Sequence, residues 1–379
     1  MLYLDNAATS FEKPRCFYRA MTRYTKKYSV NAGHGGHSFS VRGTNGILNA
    51  AELLCELLDM EDPERLVFCQ NASMALNMAI GGMLAGGGHC VLTQMEHNSV
   101  LRPVHHYGNY TIVPADREGR ISAAEIGKAI REDTKLVICT HISNVSGTIQ
   151  PIAEISAVSH AHGIPLLVDA AQSAGAYPFS AKRLGADMVA FSAHKGLLGP
   201  LGVGGLYVSR GVELEPVLFG GTGSHSRSLE QPEEMPDRLM VGTVNTPAIM
   251  ALGASVKYLK KRDPAVIADE ERRMAKRLIE GLMNMPHVKV FGITDQTALD
   301  RNGTVLFQID GMESGEVADR LDQEFGIAVR GGWHCAYPAH CALKSEKYGG
   351  VRASFGAFTP EFAIGRLIDA VYQISKTRV

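Results

Sequence analysis

From about residue 66 the chain alternates short β-rich runs with helical stretches, and this alternation constrains the fold more than any other feature. RLVFCQ (65–70) is followed by a helical stretch from Ser73, HCVLT (89–93) by one from Asn98, and KLVICTH (135–141) by one from Pro151; PLLVDA (165–170) and DMVAFS (187–192) come next. Strands separated by amphipathic helices imply βαβ crossovers and a mainly parallel sheet covered on both faces, an α/β domain. The regularity fails between about 210 and 245 in FGGTGSHSRSLEQPEEMPDRLM, a Gly- and Ser-rich passage that reads as a long functional loop. Helical stretches over about 247–261 and 264–284 follow. After them come the β-like runs TVLFQI, GIAVR and GVRASFG and a helix after Pro360, which suggest a smaller α+β domain. A length of 379 residues makes two domains the default. The expected division is a large domain over 16–245 and a small one formed by 1–15 and 246–379.

Hydrophobic residues at 45% and charged residues at 20% are ordinary for a folded protein. A net charge of -1 leaves no basic excess for nucleic acid or an anionic membrane, so the expected partner is a small molecule or another protein. The start, MLYLDNAATS, has neither the basic residues nor the apolar run of a secretory leader, and a cytoplasmic location is expected. Seven cysteines are scattered without a CxxC pair, so free thiols and no metal centre are expected. Cys69, Cys90 and Cys139 fall in apolar runs and read as inert core.

The most informative segment is FSAHKGLLGPLGVGG (191–205), at the end of one strand run and before a Gly-rich turn. Ligands of open α/β sheets bind outside the carboxyl ends of the strands, which is where Lys195 projects. A neutral lysine amine there can condense with a carbonyl, and desolvation near other positive charge keeps it neutral. Ser192 and His194 add a hydroxyl and a ring N–H suited to phosphate oxygens. Taken alone, a loop Lys-Gly is most often a surface lysine. VDAAQSAG (168–175) changes that weighting, because Asp169 follows a buried run and can pair with a protonated pyridine nitrogen, while Gln172 is within reach of a ring hydroxyl. The plain alternative is that Asp169 caps a turn.

Other candidates lie at the ends of earlier strand runs. NASMALN (71–77) opens a helix, where backbone N–H groups and Ser73 form a phosphate cradle. His97 in QMEHNSV can stack on an aromatic ring or be an ordinary loop histidine. Asn144 in THISNVSGTIQPI is placed to touch cofactor or substrate.

In order, LDNAAT, EHNS, SNVSGTIQPI, VDAAQSAG, FSAHKGLLGP, GTVNTP, RGGWHCA and VRASFGAF span nearly the whole chain. This series resembles the cysteine desulfurases, class V enzymes of the pyridoxal-phosphate (PLP)-dependent transferase fold type I. The resemblance implies pyridoxal 5'-phosphate as cofactor, with Lys195 the lysine that bonds it, Asp169 the pyridinium partner, His97 the stacking residue and Gln172 at the ring oxygen. Ser73, Ser192 and His194 would hold the phosphate, with Ala72 where a hydroxyl is frequent. Thr243 matches a residue that such enzymes contribute across a homodimer interface. In RGGWHCAYPAHC (330–341) the family's nucleophile corresponds to Cys335, with His334 adjacent and Arg330 nearby, a setting that favours a thiolate. Arg352 matches the arginine that binds the substrate carboxylate in a bidentate fork. The compact His-Cys loop implies a protein sulfur acceptor that enters the site. The implied reaction is L-cysteine to L-alanine with sulfur left on Cys335 as a persulfide. Selenium supply from L-selenocysteine, and a class V aminotransferase or β-lyase without persulfide chemistry, remain alternatives. Trp333 and Cys341 are unusual neighbours for the nucleophile.

Overall fold

Buried aliphatic runs dictate the centre of the molecule: every residue of the strands His89–Thr93, Leu166–Asp169 and Met188–Ser192 is buried, as a strand with helices on both faces requires. A computed structural model describes residues 1–33, 36–295 and 297–377. The main sheet has seven strands in the spatial order Leu66–Cys69, Gly204–Val208, Met188–Ser192, Leu166–Asp169, Thr134–Thr140, His89–Thr93, Tyr110–Val113. Six run parallel; Gly204–Val208 is antiparallel to both its neighbours. The expected helices are present as Ala72–Leu84, Asn98–Tyr107 and Ile152–Ala161. Between Val208 and Thr246 there is neither helix nor strand, as the Gly- and Ser-rich composition suggests.

A second sheet of four antiparallel strands, Arg330–Gly332, Gly350–Ser354, Thr304–Ile309 and Val288–Phe291, has its own core. Leu278, Phe307, Val317 and Leu367 join it from the helices Pro264–Met283, Ser314–Phe325 and Phe362–Lys376 and from the central strand. The N-terminal strand Leu2–Tyr3 pairs with Ile327–Ala328 beside it. One assignment differs from the sequence reading. Helix Thr246–Arg262, expected in the small domain, buries Ala248, Ile249, Leu252 and Val256 in the core of the large sheet. Its apolar face is matched by the helices Arg15–Lys27 and Ser38–Leu58, so the chain crosses to the smaller sheet only after Arg262. Among the described residues no helix is long and apolar enough to cross a membrane.

Candidate active site

Because six strands run the same way, their carboxyl ends share one edge, and the chemistry-bearing motifs leave from it. Asp169 ends its strand, and Ser192 ends the neighbouring one three residues before Lys195. Two glycines let these turns touch. A Cβ on Gly196 would lie 2.7 Å from the Ala174 carbonyl oxygen, and one on Gly175, at φ +82°, would lie 2.6 Å from the Gly196 carbonyl oxygen. Only residues without a side chain allow that approach.

Lys195 is half-buried, and its amine is pushed down to about 8 by desolvation. Asp169 and Asp5 oppose that shift, while the nearby positive charges of Arg352 and Arg330 add to it. Asp169 is buried, which raises its pKa; the Ala171 N–H, 2.9 Å from Oδ1, and the charge of Lys195 favour the carboxylate. Behind it lies Glu96, fully enclosed and pushed up to about 8 by burial. Its Oε1 accepts from the Thr93 hydroxyl and the Thr140 N–H, whereas its buried Oε2 has no hydrogen-bond partner. Glu96 is therefore mostly neutral near neutral pH, whereas Asp169 has Lys195 and the Ala171 N–H to favour its carboxylate.

His97 caps the helix Asn98–Tyr107, its Nδ1 accepting from the Ser99 N–H at 3.0 Å. Burial and the charges of Lys195 and Arg330 push this imidazole down to about 4, so it is neutral with its proton on Nε2. The phosphate cradle expected at Ala72 and Ser73 is narrower than the motif suggests. The Ala72 N–H donates to the Ser192 hydroxyl at 2.9 Å and the Met74 N–H to Asn71 Oδ1 at 3.0 Å. The Ser73 hydroxyl, exposed, lies 2.6 Å from that of Ser99. His194 hydrogen-bonds the Thr9 hydroxyl at 3.0 Å and is pushed down to about 4 by burial. Gln172 donates to the Ala7 carbonyl at 2.9 Å, which leaves its side-chain oxygen for a ligand. Thr243 is exposed and lines a separate hollow with Met74, Met78 and Val203.

The cysteine loop is fastened to this edge from below. Asn98 N–H donates to the Cys335 carbonyl at 2.7 Å, and Asn144 Nδ2 to the His334 carbonyl at 2.8 Å. Asn144 thus commits one of its two amide hydrogens to the loop. His334 and Cys335 both adopt left-handed backbone, φ 51° and 57°, a conformation that costs about 1–3 kcal/mol per non-glycine residue and needs such anchors. Arg330 Nη2 lies 3.7 Å from Cys335 Sγ and sets a permanent positive charge against the sulfur. Cys90 and Cys139 are buried core thiols pushed well up by desolvation, while Cys69 is only half-buried and rises to about 11. Cys341 is half-buried on the short helix Tyr337–Leu343.

Arg352 pairs across the small sheet with Arg330. Its side chain is buried, with Nη2 on Asp5, Nη1 donating to the Asn144 carbonyl at 3.0 Å, and Nε without a partner. Asp5 is a site residue that sequence reasoning missed, although LDNAAT contains it. So is Lys13, which donates to the His194 carbonyl at 2.8 Å and is pushed down to about 8 by burial. Asp5→Ala leaves the buried Arg352 guanidinium uncompensated. A loss of about 3 kcal/mol of stability is expected, at the low end for a broken buried pair because Asp5 is partly solvated, and a urea unfolding midpoint reads it.

A lysine, a carboxylate, a neutral imidazole and a clamped thiol at the ligand-binding edge of an α/β sheet define an enzyme site. Residues 2–367 match the family model described as aminotransferase class-V. A probable cysteine desulfurase of Methanothermobacter thermautotrophicus is 35% identical over 99% of this chain and 94% of its own length. The apo structure of cysteine desulfurase from Thermococcus onnurineus superposes with a TM-score of 0.92 at 31% identity, covering 99% of this chain and 94% of that one. A cysteine desulfurase structure from Escherichia coli gives 0.88 at 25% identity over 100% and 95%. The chain belongs to the class V aminotransferase family, in its cysteine desulfurase branch.

Proposed function

We propose that the protein is a pyridoxal-phosphate enzyme that converts L-cysteine to L-alanine and holds the sulfur on Cys335 as a persulfide. The observation that carries this reading is the placement of Cys335 Sγ against Arg330, on a loop bonded to Asn98 and Asn144 at the same sheet edge as Lys195. The residues present fit the cofactor. A lysine amine lowered to about 8 suits a bond to an aldehyde, buried Asp169 suits a ring nitrogen, and the Ser192 hydroxyl, Ser73 and His194 suit a phosphate. Bound there, pyridoxal phosphate supplies a conjugated ring that withdraws electrons from the substrate Cα.

The chain's own groups do the rest. Arg352, with Nε unpaired, receives the substrate carboxylate, and Arg330 adds positive charge beside it. Lys195, once freed, moves the proton at Cα. Neutral His97 would stack on the cofactor ring. The Cys335 thiolate attacks the substrate sulfur, an S–S bond forms, and the Cβ–S bond breaks. Cβ keeps the electron pair and takes a proton, giving L-alanine. We further assign Thr243 to the phosphate site of a partner subunit in a homodimer, a protein thiol as the sulfur acceptor, and the cytoplasm as the location. After incubation with L-cysteine, mass spectrometry should find one added sulfur atom on the Cys335 peptide, absent in Cys335→Ala. No added sulfur, or amino transfer to a keto acid by Cys335→Ala, would overturn the reading in favour of persulfide-free chemistry.

A further inference from the structure

Two histidines lie stacked beneath the cysteine loop, and the sequence reading singled out only the first. The rings of His334 and His340 are 5.3 Å apart at 15°, and both side chains are shut off from solvent. His334 Nε2 faces the Arg330 carbonyl oxygen at 3.1 Å, His334 Nδ1 faces His340 Nε2 at 3.2 Å, and His340 Nδ1 faces the Ser345 hydroxyl at 2.8 Å.

The proton positions in this chain follow from its one fixed end. A carbonyl oxygen only accepts, so His334 carries its proton on Nε2. Burial, with Arg352 and other positive charges nearby, holds both rings neutral, so His334 Nδ1 is bare and only accepts. His340 must then donate from Nε2, which leaves its Nδ1 to accept from Ser345. Every polar atom is satisfied in one direction only: Ser345 to His340, His340 to His334, His334 to the Arg330 carbonyl. The chain ends at Arg330, whose Nη2 also reaches Cys335 Sγ, and His334 is the cysteine's covalent neighbour.

We propose that His340, set by Ser345, is a positioning residue for the nucleophile: through His334 it holds Arg330 and the left-handed Cys335 in place. Asn98 and Asn144, from segments that follow strands of the large sheet, anchor the loop's carbonyls, and the histidine chain ties His334 to Arg330. The proposal rests on Cys335 as the reacting thiol. It adds a requirement that the sulfur be held still during attack on a bound substrate, where a displacement of about 1 Å costs as much as about 100-fold in rate.

The test compares His340→Ala, His340→Gln and Ser345→Ala in the cofactor-loaded enzyme. Glutamine supplies an N–H toward His334 and an oxygen toward Ser345, so it preserves the direction of the chain. For His340→Ala, kcat for alanine formation should fall on the order of 10- to 100-fold with a smaller change in KM for cysteine, because Arg352 keeps its place and only Arg330 shifts. His340→Gln should recover most of the rate, and Ser345→Ala, the variant least disturbing to the core, should lose about 10-fold. Bound-cofactor absorbance should be the same in all three. A second readout, the rate of Cys335 alkylation by iodoacetamide without substrate, should change in His340→Ala and return in His340→Gln. Wild-type kcat and alkylation in His340→Ala, or equal losses in alanine and glutamine variants, would overturn the proposal. Should Cys335→Ala keep full desulfurase activity, the catalytic reading fails, while the alkylation comparison still decides whether His340 positions the thiol.

Discussion

Lys195→Ala is expected to abolish turnover, with kcat for alanine formation falling by on the order of four decades, the upper range for removal of a proton-transferring group. Two losses coincide. On the proposed reading the amine, lowered to about 8 by desolvation, both bonds the cofactor and moves the substrate's α-proton. Visible absorbance of covalently held cofactor should vanish in the same variant, which separates this outcome from simple loss of rate. In the wild type the rate of cofactor attachment should rise with pH and level off above about 8, since only the neutral amine reacts and its fraction grows through that value. The variant also removes a positive charge from beside His97, whose pKa should rise from about 4. Retention of the absorbance band in Lys195→Ala would place the bond on another residue.

The sequence made most of this site legible because its residues sit at strand ends, where two strong signals coincide: a buried aliphatic run and a polar residue just beyond it. Lys195, Asp169, His97 and Asn144 all follow that rule, and their strands were readable from period and composition. Gly204–Val208 was not, since GG reads as a turn. Here the glycines serve close packing: a Cβ on Gly204 would lie 2.6 Å from Asn71 Cα, and one on Gly205 2.5 Å from the Phe191 ring. Tyr110–Val113 escaped notice as a four-residue edge strand, half-buried at Tyr110 and Thr111, exposed at Ile112 and buried only at Val113. Contacts between distant segments carry no local signal at all. Asp5 meets Arg352 across nearly the full length of the chain, and His340 matters only because a short helix folds it under His334. Nor does any local pattern show that Asn144 and Gln172 would each commit one amide hydrogen to one of the protein's own carbonyls.

Asp169→Asn is expected to keep the fold and the covalent cofactor yet lower kcat on the order of 10²- to 10³-fold, the range for removing one fixed electrostatic stabiliser. Asparagine still offers an oxygen to the Ala171 N–H, so the turn after the strand survives. What goes is the charge. Glu96 cannot replace it, because burial raises its carboxyl to about 8 and it has no free exit from the core. Without a carboxylate there, the ring nitrogen of a bound cofactor would be less readily protonated, and the electron withdrawal that the reaction needs would weaken. A second consequence has a definite sign. The negative charge of Asp169 raises the pKa of Lys195, so removing it must move the midpoint for cofactor attachment below about 8. The two effects run in opposite directions, easier attachment at lower pH and slower turnover at every pH. A merely destabilised protein would show neither pattern. An unchanged attachment midpoint would mean that Asp169 and Lys195 do not share the site, and stopped-flow absorbance across pH 6 to about 9 distinguishes the cases.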